Sequence, residues 1–175
     1  RKIVSIAKSF HGVTGLAANA SDKAFWQPFN AGRNADDFVT VAWNDLGEMA
    51  DALAGNDVAA VLIETVPATL GWPIPADDYH AGLKALCERH GALLIMDEIP
   101  TGLGKTGRMF AIEHDEILPD IITMGKALGG GVLPIAACIA NKNLDVCGDF
   151  AIGHYTHEKN PVTARAALTT IEIIE

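Results

Sequence analysis

Cysteine is scarce in this chain, and its spacing is irregular. There are three cysteines, Cys87, Cys138 and Cys147, an odd number without a CxxC pair. A disulfide framework needs cysteines that can pair, usually an even number, so the sequence does not predict one. Free thiols are typical of reducing compartments, and the first residues carry no signal-peptide pattern. We therefore expect a cytoplasmic protein.

Positive charge and long apolar segments are also in short supply. The 13 Lys and Arg residues are scattered and outnumbered by 22 Asp and Glu, which gives a net charge of −9. Nucleic acids require a basic face, so this charge disfavours them as partners. Apolar runs such as Val58–Ile63 are far shorter than the roughly 20 residues of a membrane helix. The sequence therefore predicts neither nucleic-acid binding nor a membrane span.

What the sequence does contain is a large hydrophobic fraction in a repeating order. Hydrophobic residues make up 49% of the 175 positions, which is enough for one domain with a real core. Short apolar runs alternate with longer amphipathic stretches; the runs are Val58–Ile63, Ala92–Met96, Ile121–Thr123 and Pro134–Ala140. This order predicts an α/β fold in which helices cover a mostly parallel central sheet, with strands buried on both faces.

Two helices have recognisable ends. In Tyr79–His90 the apolar residues recur at helical spacing, and Gly91 supplies a C-terminal stop. Asn160 is a natural N-cap, and Pro161 suits the first helical position. The sequence therefore predicts one helix that ends at position 90 and another that begins at position 161.

Asp97 and Lys126 together carry the chemical signal. Asp97 ends an apolar run, where open α/β sheets bind ligands, and Lys126 lies in the glycine-rich run Gly125–Gly131. A pyridoxal phosphate (PLP) enzyme needs such a pair. A buried carboxylate keeps the pyridine nitrogen protonated, and a lysine amine carries the cofactor as a Schiff base. The alternative is a strand-end Asp that caps a turn and a surface Lys in a loop.

A second lysine competes with Lys126. Lys105 lies in Gly102–Gly107, a glycine-rich segment that suggests a phosphate-binding loop. A P-loop would require glycine at position 99, which is Ile99, so we interpret the segment as a structural turn. No metal site is predicted, since His154 and His157 lack a clustered third ligand.

The sequence around these residues resembles the class III aminotransferases, PLP enzymes of fold type I. The resemblance is carried by Leu94–Gly107 and Pro119–Gly131, with support from Ser9–Gly12, Glu64 followed by Gly71 and Pro75, and Asn160-Pro161. It implies a three-layer αβα PLP-transferase large domain. Because the chain has no initiator Met and members of the family are much longer, we expect residues 1–175 to be part of that domain. An upstream phosphate-binding segment and a downstream small domain are expected outside them.

The resemblance also implies which side chains surround the cofactor. Ile99 lies on the same side of an extended segment as Asp97, and it would pack against one face of the ring. Phe10 would cover the opposite face, with His11 near the site. Glu64 would help to organise the site.

Roles are also expected for three further residues, of which that of Thr156 follows from the same resemblance. Lys126 would serve as the general base once an amino substrate has displaced it from the cofactor. Thr156 would donate to the cofactor phosphate of a partner subunit, so a homodimer with shared active sites is expected. Glu98 points away from Asp97 in an extended segment, and we interpret it as structural.

Two departures from the family pattern concern the reaction. Pro100 stands where many members have a glutamine near the cofactor's phenolic oxygen, and Thr69 stands where some have a glutamate that switches with an arginine. The resemblance implies an aminotransferase that moves an amino group between a small amino donor and a keto acid or aldehyde acceptor. The alternative is a lyase of the same family that eliminates ammonia or another group from an amino substrate.

Overall fold

A computed structural model describes residues 1–26, 35–150, 156–157 and 160–175. The strands are β1 (Lys2–Ile6), β2 (Phe38–Val41), β3 (Val58–Glu64), β4 (Leu93–Asp97), β5 (Ile121–Met124) and β6 (Ala137–Ala140). The helices are α1 (Gly15–Ala20), α2 (Lys23–Trp26), α3 (Leu46–Leu53), α4 (Tyr79–His90) and α5 (Pro161–Ile174). Short 3-10 helices cover Ala35–Asp37, Ala68–Leu70, Ala111–Asp115, Lys126–Gly129 and Lys142–Leu144.

The strands of the described residues form one sheet with the order β2-β1-β3-β4-β5-β6. Neighbouring strands are parallel, except that β6 runs antiparallel to β5. The predicted α/β fold with a mostly parallel sheet is therefore confirmed. Strands β3, β4 and β5 begin within one residue of the starts predicted from the apolar runs.

The prediction for the last strand is wrong in two respects. A strand buried on both faces was expected from Pro134, but β6 begins at Ala137, and all four of its residues are exposed. Proline has no N–H to donate to a strand ladder, which disfavours an earlier start. Within the described residues β6 is an edge strand that pairs only with β5, so its other side stays open.

The main core forms where helices α3 and α4 pack with the sheet. Large apolar side chains from five elements are fully buried there: Ile6, Met49, Ile63, Leu83 and Leu94. Each side chain of this size contributes about 1.5–3 kcal/mol when it is removed from water. This core holds the strands in the fixed positions from which the loops of the candidate site extend.

Both predicted helix ends are observed. Helix α4 ends at His90, and the φ of 63° at its C-cap, Gly91, lies in the left-handed region that glycine adopts without strain. Asn160 caps α5, because its side chain accepts a hydrogen bond from the Val162 N–H at 2.9 Å. No helix in the described parts of the chain is long and apolar enough to cross a membrane.

A second, smaller core lies behind the turn that carries Lys126. Leu103, Met124, Leu128 and Ala167 are buried together there. Helix α5 contributes Ala167 and packs against the 3-10 helix that Lys126 begins. The backbone at Lys126 is therefore supported from behind by packed side chains.

The parallel strands end at one edge of the sheet, and this edge positions the site. In the register of β3, β4 and β5, Glu64 lies opposite Asp97, and Asp97 lies opposite Thr123. The segments that follow β1, β3, β4 and β5 therefore start side by side. Open α/β sheets bind ligands in the crevice outside these carboxyl ends.

Candidate active site

A cavity of about 270 Å³ lies at this edge of the sheet. Residues at or after the ends of four different strands surround it: Phe10, His11, Gly12, Glu64, Ala68, Thr69, Asp97, Ile99, Pro100 and Lys126. Six of the seven predicted site residues are among them. The seventh, Thr156, is exposed and is not part of the described cavity wall.

Asp97 is the last residue of β4, and its carboxylate is held from several directions. The side chain is almost fully buried, with 3% of the residue exposed. Its Oδ1 accepts hydrogen bonds from the Ile99 N–H at 3.1 Å and from the Thr123 hydroxyl at 3.3 Å. Its Oδ2 lies 2.8 Å from His11 Nδ1. A buried carboxylate needs such partners to offset its desolvation, and here they also fix its direction.

His11 links the segment after β1 to Asp97. Its backbone N–H donates to the Ser21 hydroxyl at 2.7 Å, which holds the ring's starting point in place. With Nδ1 facing Asp97, the other ring nitrogen, Nε2, is buried and has no hydrogen-bond partner among the described residues. Leaving a buried polar atom unpaired costs about 1–3 kcal/mol. Such a cost is typical of a site that is organised for a purpose other than stability.

Glu64 ties together two loops that border the cavity. It is the last residue of β3 and is buried. Its Oε1 accepts a hydrogen bond from the Phe10 N–H at 3.1 Å, and its Oε2 accepts one from the Ala68 N–H at 2.9 Å. These two bonds hold the segments that follow β1 and β3 next to each other.

Phe10 and Ile99 supply apolar surface to the cavity. The Phe10 ring is 37% exposed and packs edge-on against Phe25, with 5.0 Å between the ring centroids. Ile99 follows Asp97 by two residues and lines the same cavity, as predicted. A flat aromatic ligand in the cavity would therefore meet both apolar side chains and the Asp97 carboxylate.

Lys126 follows β5 and begins a 3-10 helix in an unusual backbone conformation. Its φ is +41°, in the left-handed region that residues other than glycine rarely adopt. Such a conformation costs on the order of 1–3 kcal/mol and is concentrated at functional sites. Lys126 lines the cavity, and its amine has no hydrogen bond or ion pair with another described residue. It is the one lysine in the described cavity wall.

Lys105 lies close by but outside the cavity wall. Its segment is a turn, in which the Leu103 N–H donates to the Met109 carbonyl at 2.6 Å. Burial lowers the pKa of Lys105, the positive charge of Lys126 lowers it further, and Glu98 opposes the shift. The two positive charges therefore repel each other, although only Lys126 lines the cavity. The segment forms a turn beside the site, as the sequence predicts.

The two positions that depart from the family pattern both line the cavity. The Thr69 hydroxyl donates a hydrogen bond to the Lys8 carbonyl, so it is occupied by the protein itself. Pro100 offers the cavity an apolar ring and no donor. Neither side chain offers the cavity a carboxylate or an amide.

A second cavity, of about 300 Å³, lies nearby and has a different chemical character. Its wall includes Thr65, Asp77, His80 and Asp115, and it contains neither lysine nor Asp97. Within the described residues, no cluster of three or more His, Cys, Asp and Glu side chains could hold a metal ion. His154, one of the two histidines considered for zinc, lies outside the described residues. The first cavity is therefore the candidate active site.

Sequence reasoning missed two contributors to this site. It did not identify Thr123, whose hydroxyl donates to Asp97, or Ala68, whose N–H donates to Glu64. Thr123 could have been found, since it ends an apolar run that was predicted to lie in the same sheet. Ala68 acts only through its backbone, so its residue type carries no signal.

Comparison with known proteins is consistent with this geometry. The family model described as aminotransferase class-III matches residues 1–175. An uncharacterized aminotransferase of Archaeoglobus fulgidus is 43% identical over 145 residues, which are 83% of this chain and 34% of that protein. The acetylornithine aminotransferase of Nitrosomonas europaea is 39% identical over 181 residues, 99% of this chain and 44% of that protein.

A solved structure agrees with the fold as well. An ornithine aminotransferase from Toxoplasma gondii, crystallised in the presence of oxidised glutathione, superposes with a TM-score of 0.88 at 29% identity. The match covers 99% of this chain and 41% of that one, and that structure has partial occupancy of PLP at its active site. The chain thus spans less than half the length of each of these relatives.

Proposed function

The chain belongs to the class III aminotransferase family, and from this premise we propose that it is part of a PLP-dependent aminotransferase. The enzyme would move an amino group from a small amino donor to a keto acid or aldehyde. The observation that carries the proposal is the meeting of Asp97, backed by His11, with Lys126 at one cavity. A carboxylate and an amine at one cavity are the two groups that PLP requires of a protein.

We further propose that residues 1–175 are part of the PLP-binding large domain of a longer enzyme. An upstream segment would bind the cofactor phosphate, and a downstream small domain would complete the substrate site. This assignment is supported by the share of each relative that the chain covers, 44% in the acetylornithine aminotransferase and 41% in the ornithine aminotransferase. The three free cysteines fit a cytoplasmic location.

The residues at the cavity fit PLP in both chemistry and arrangement. Asp97 would hold a proton on the pyridine nitrogen, and His11 would keep the Asp97 carboxylate in position for it. Phe10 and Ile99 would hold the faces of the ring. PLP, when bound, supplies an electron sink that stabilises negative charge at the carbon bearing the amino group.

Lys126 and Glu64 would complete the machinery. The Lys126 amine would hold the cofactor covalently and, once a substrate amine has replaced it, would move the proton at the substrate Cα. A free amine suits this role, because a lysine committed to an ion pair would not be available as a base. Glu64 would keep the loops on either side of the cavity closed around it.

A lyase is the second candidate, and Pro100 is the observation that favours it. Pro100 lines the cavity but offers no hydrogen bond to a bound cofactor. A change at this position is compatible with a change in the bond that is broken, because the same fold hosts several PLP reactions. Thr69, which is hydrogen-bonded to Lys8, also leaves the cavity without a glutamate at that position.

Turnover without an amino acceptor separates the two candidates. Given an amino donor alone, the complete enzyme should release one equivalent of carbonyl product per active site and then stop. Addition of a keto acid should restart it. Product is counted by derivatisation of the carbonyl compound against the enzyme concentration. Repeated turnover without any acceptor would establish the lyase and contradict the aminotransferase.

We also propose that the enzyme is a homodimer in which each cofactor is held by both subunits. Thr156 is exposed, so its hydroxyl is open to a neighbouring subunit. A hydroxyl is a suitable donor to a phosphate oxygen. If it reaches the neighbouring site, a two-fold axis relates the two cavities.

Mixed dimers test this arrangement. Complete enzymes carrying Lys126→Ala and Thr156→Ala should each have low activity, and mixing them under conditions of subunit exchange should partly restore it. In a shared site, the hybrid has one cavity with both defects and one cavity with neither. If mass spectrometry of differently tagged subunits demonstrates exchange but activity does not recover, Thr156 does not act across the interface.

A further inference from the structure

We propose that Glu98 is a positioning residue of the active site: it holds the end of β4 from behind, so that Asp97 and Ile99 face the cavity. The proposal rests on the function proposed above. Glu98 does not line the cavity. It acts through the backbone that it shares with its neighbours.

The contacts of Glu98 are unusually complete for a residue outside the cavity wall. Only 1% of the residue is exposed. Its Oε1 accepts hydrogen bonds from the Thr65 hydroxyl and the Ile112 N–H, both at 2.8 Å. Its Oε2 accepts hydrogen bonds from the Thr101 hydroxyl and, at 3.2 Å, from the Ala111 N–H. One carboxylate thus accepts four hydrogen bonds from three separate segments of the chain.

The sheet register explains what the bond between Thr65 and Glu98 does for the site. Glu64 and Asp97 lie opposite each other as the last pair of β3 and β4, and both line the cavity. Side chains alternate between the two faces of an extended strand, so the next residues, Thr65 and Glu98, point the other way. The bond between them closes the two strand ends on the side away from the cavity.

The backbone around Glu98 is equally constrained. The Glu98 N–H donates to the Thr123 carbonyl at 2.9 Å, and the Glu98 carbonyl accepts from the Gly102 N–H at 2.8 Å. A Cβ at position 102 would lie 2.9 Å from that carbonyl oxygen, so the turn leaves no room for a larger residue. Ile99 lies inside this turn, and Asp97 immediately precedes it. Both therefore depend on where Glu98 is anchored.

The anchor depends on hydrogen-bond donors and not on an ion pair. Among the described residues, no Lys, Arg or His side chain lies within 4 Å of the Glu98 carboxylate. The Ala111 and Ile112 N–H groups can only donate, and each faces a different oxygen. If glutamine replaced Glu98, its NH₂ group would face one of these N–H groups in either orientation. The side chain would keep its shape, but one hydrogen bond would be replaced by a repulsive contact between two donors.

Glu98→Gln in the complete enzyme is the test, with Glu113→Gln as the matched control. Glu113 lies in the 3-10 helix Ala111–Asp115, which also contains the two N–H donors to Glu98. Among the described residues, its carboxylate accepts one hydrogen bond, from the Phe110 N–H at 2.8 Å, and none from β4. We expect Glu98→Gln to lower kcat by about 10- to 100-fold with little change in KM, because misplacing a reacting group by about 1 Å can cost on the order of 100-fold. Glu113→Gln should leave both quantities close to wild type.

A readout that does not depend on activity accompanies these measurements. In the cofactor-free protein, hydrogen–deuterium exchange at the Ile99 and Gly102 amides should be faster in Glu98→Gln than in Glu113→Gln. Should Glu98→Gln fail to fold, Thr65→Val removes one donor and should cause a smaller loss of kcat in the same direction. Thr65→Ser, which keeps the hydroxyl, should have a kcat close to that of the wild type.

Two results would overturn the positioning role. One is a Glu98→Gln enzyme whose melting temperature falls while kcat and the amide exchange match Glu113→Gln. The other is a Thr65→Val enzyme with the kcat of wild type. A wild-type enzyme that binds no PLP would instead contradict the proposed function, and the exchange measurement would still test the anchor.

Discussion

Replacing Lys126 with alanine in the complete enzyme should abolish covalent attachment of PLP and lower turnover by about 10,000-fold, which corresponds to about 5 kcal/mol of activation free energy. Lys126 is the one lysine in the described wall of the cavity, and it has no hydrogen bond or ion pair there to occupy its amine. Its left-handed backbone, with φ at +41°, is supported by the packing of Leu128 and Ala167 behind it. No other described amine is positioned to take over.

Borohydride reduction followed by peptide mapping measures the attachment directly. Wild-type enzyme should carry a reduced, covalently bound cofactor on the peptide that contains Lys126, and Lys126→Ala should carry none. Lys105→Ala is the matched control, because Lys105 is the nearby lysine whose charge interacts with Lys126. It should retain the adduct. A cofactor mapped to Lys105 would contradict the assignment.

Asp97→Asn should still bind PLP but turn over at least about 100-fold more slowly, a loss of about 3 kcal/mol or more in transition-state stabilisation. The amide has the same shape as the carboxylate, so the bond from the Ile99 N–H can persist. A neutral amide cannot hold a proton on the pyridine nitrogen. The measurement is single-turnover kinetics with an amino donor at saturating PLP.

Asp120→Asn is the control for a general loss of carboxylate. Asp120 is also partly buried, and it accepts bonds from Lys84 Nζ at 3.1 Å and from the Leu94 N–H at 2.8 Å. It directly precedes β5 and so lies at the opposite edge of the sheet. Its variant should lose stability while keeping most of its turnover. Near-normal activity of Asp97→Asn would remove Asp97 from the mechanism.

The sequence predicts much of this site because strand ends and function coincide here. Asp97 and Glu64 each end an apolar run, and parallel strands bring such ends together. Ile99 follows from the alternation of side chains, and α4 and α5 follow from their capping residues. For these features, residue spacing and capping residues within a single segment were sufficient for the prediction.

Contacts between distant segments were not predictable in the same way. The bond between His11 and Asp97 joins positions far apart in the chain, and only the strand order β1-β3-β4 in the sheet brings them close. The partners of Glu98 include backbone N–H groups of Ala111 and Ile112, whose residue types carry no information about that bond. The exposure of β6 also could not be read from its apolar composition, because burial depends on what lies beside a strand.

The register that sets Glu64 opposite Asp97 limits how this enzyme can change. Inserting or deleting one residue within β4 would exchange the two sides of the strand, so the cavity would receive Glu98 and lose Asp97. A change of two residues would preserve the alternation but move the acid about 6–7 Å along the strand. The pairing of Glu64 with Asp97 at the cavity therefore fixes the lengths of β3 and β4. We expect changes in the reaction to arise at cavity-wall positions outside the strands, such as 69 and 100, where a substitution leaves this register intact.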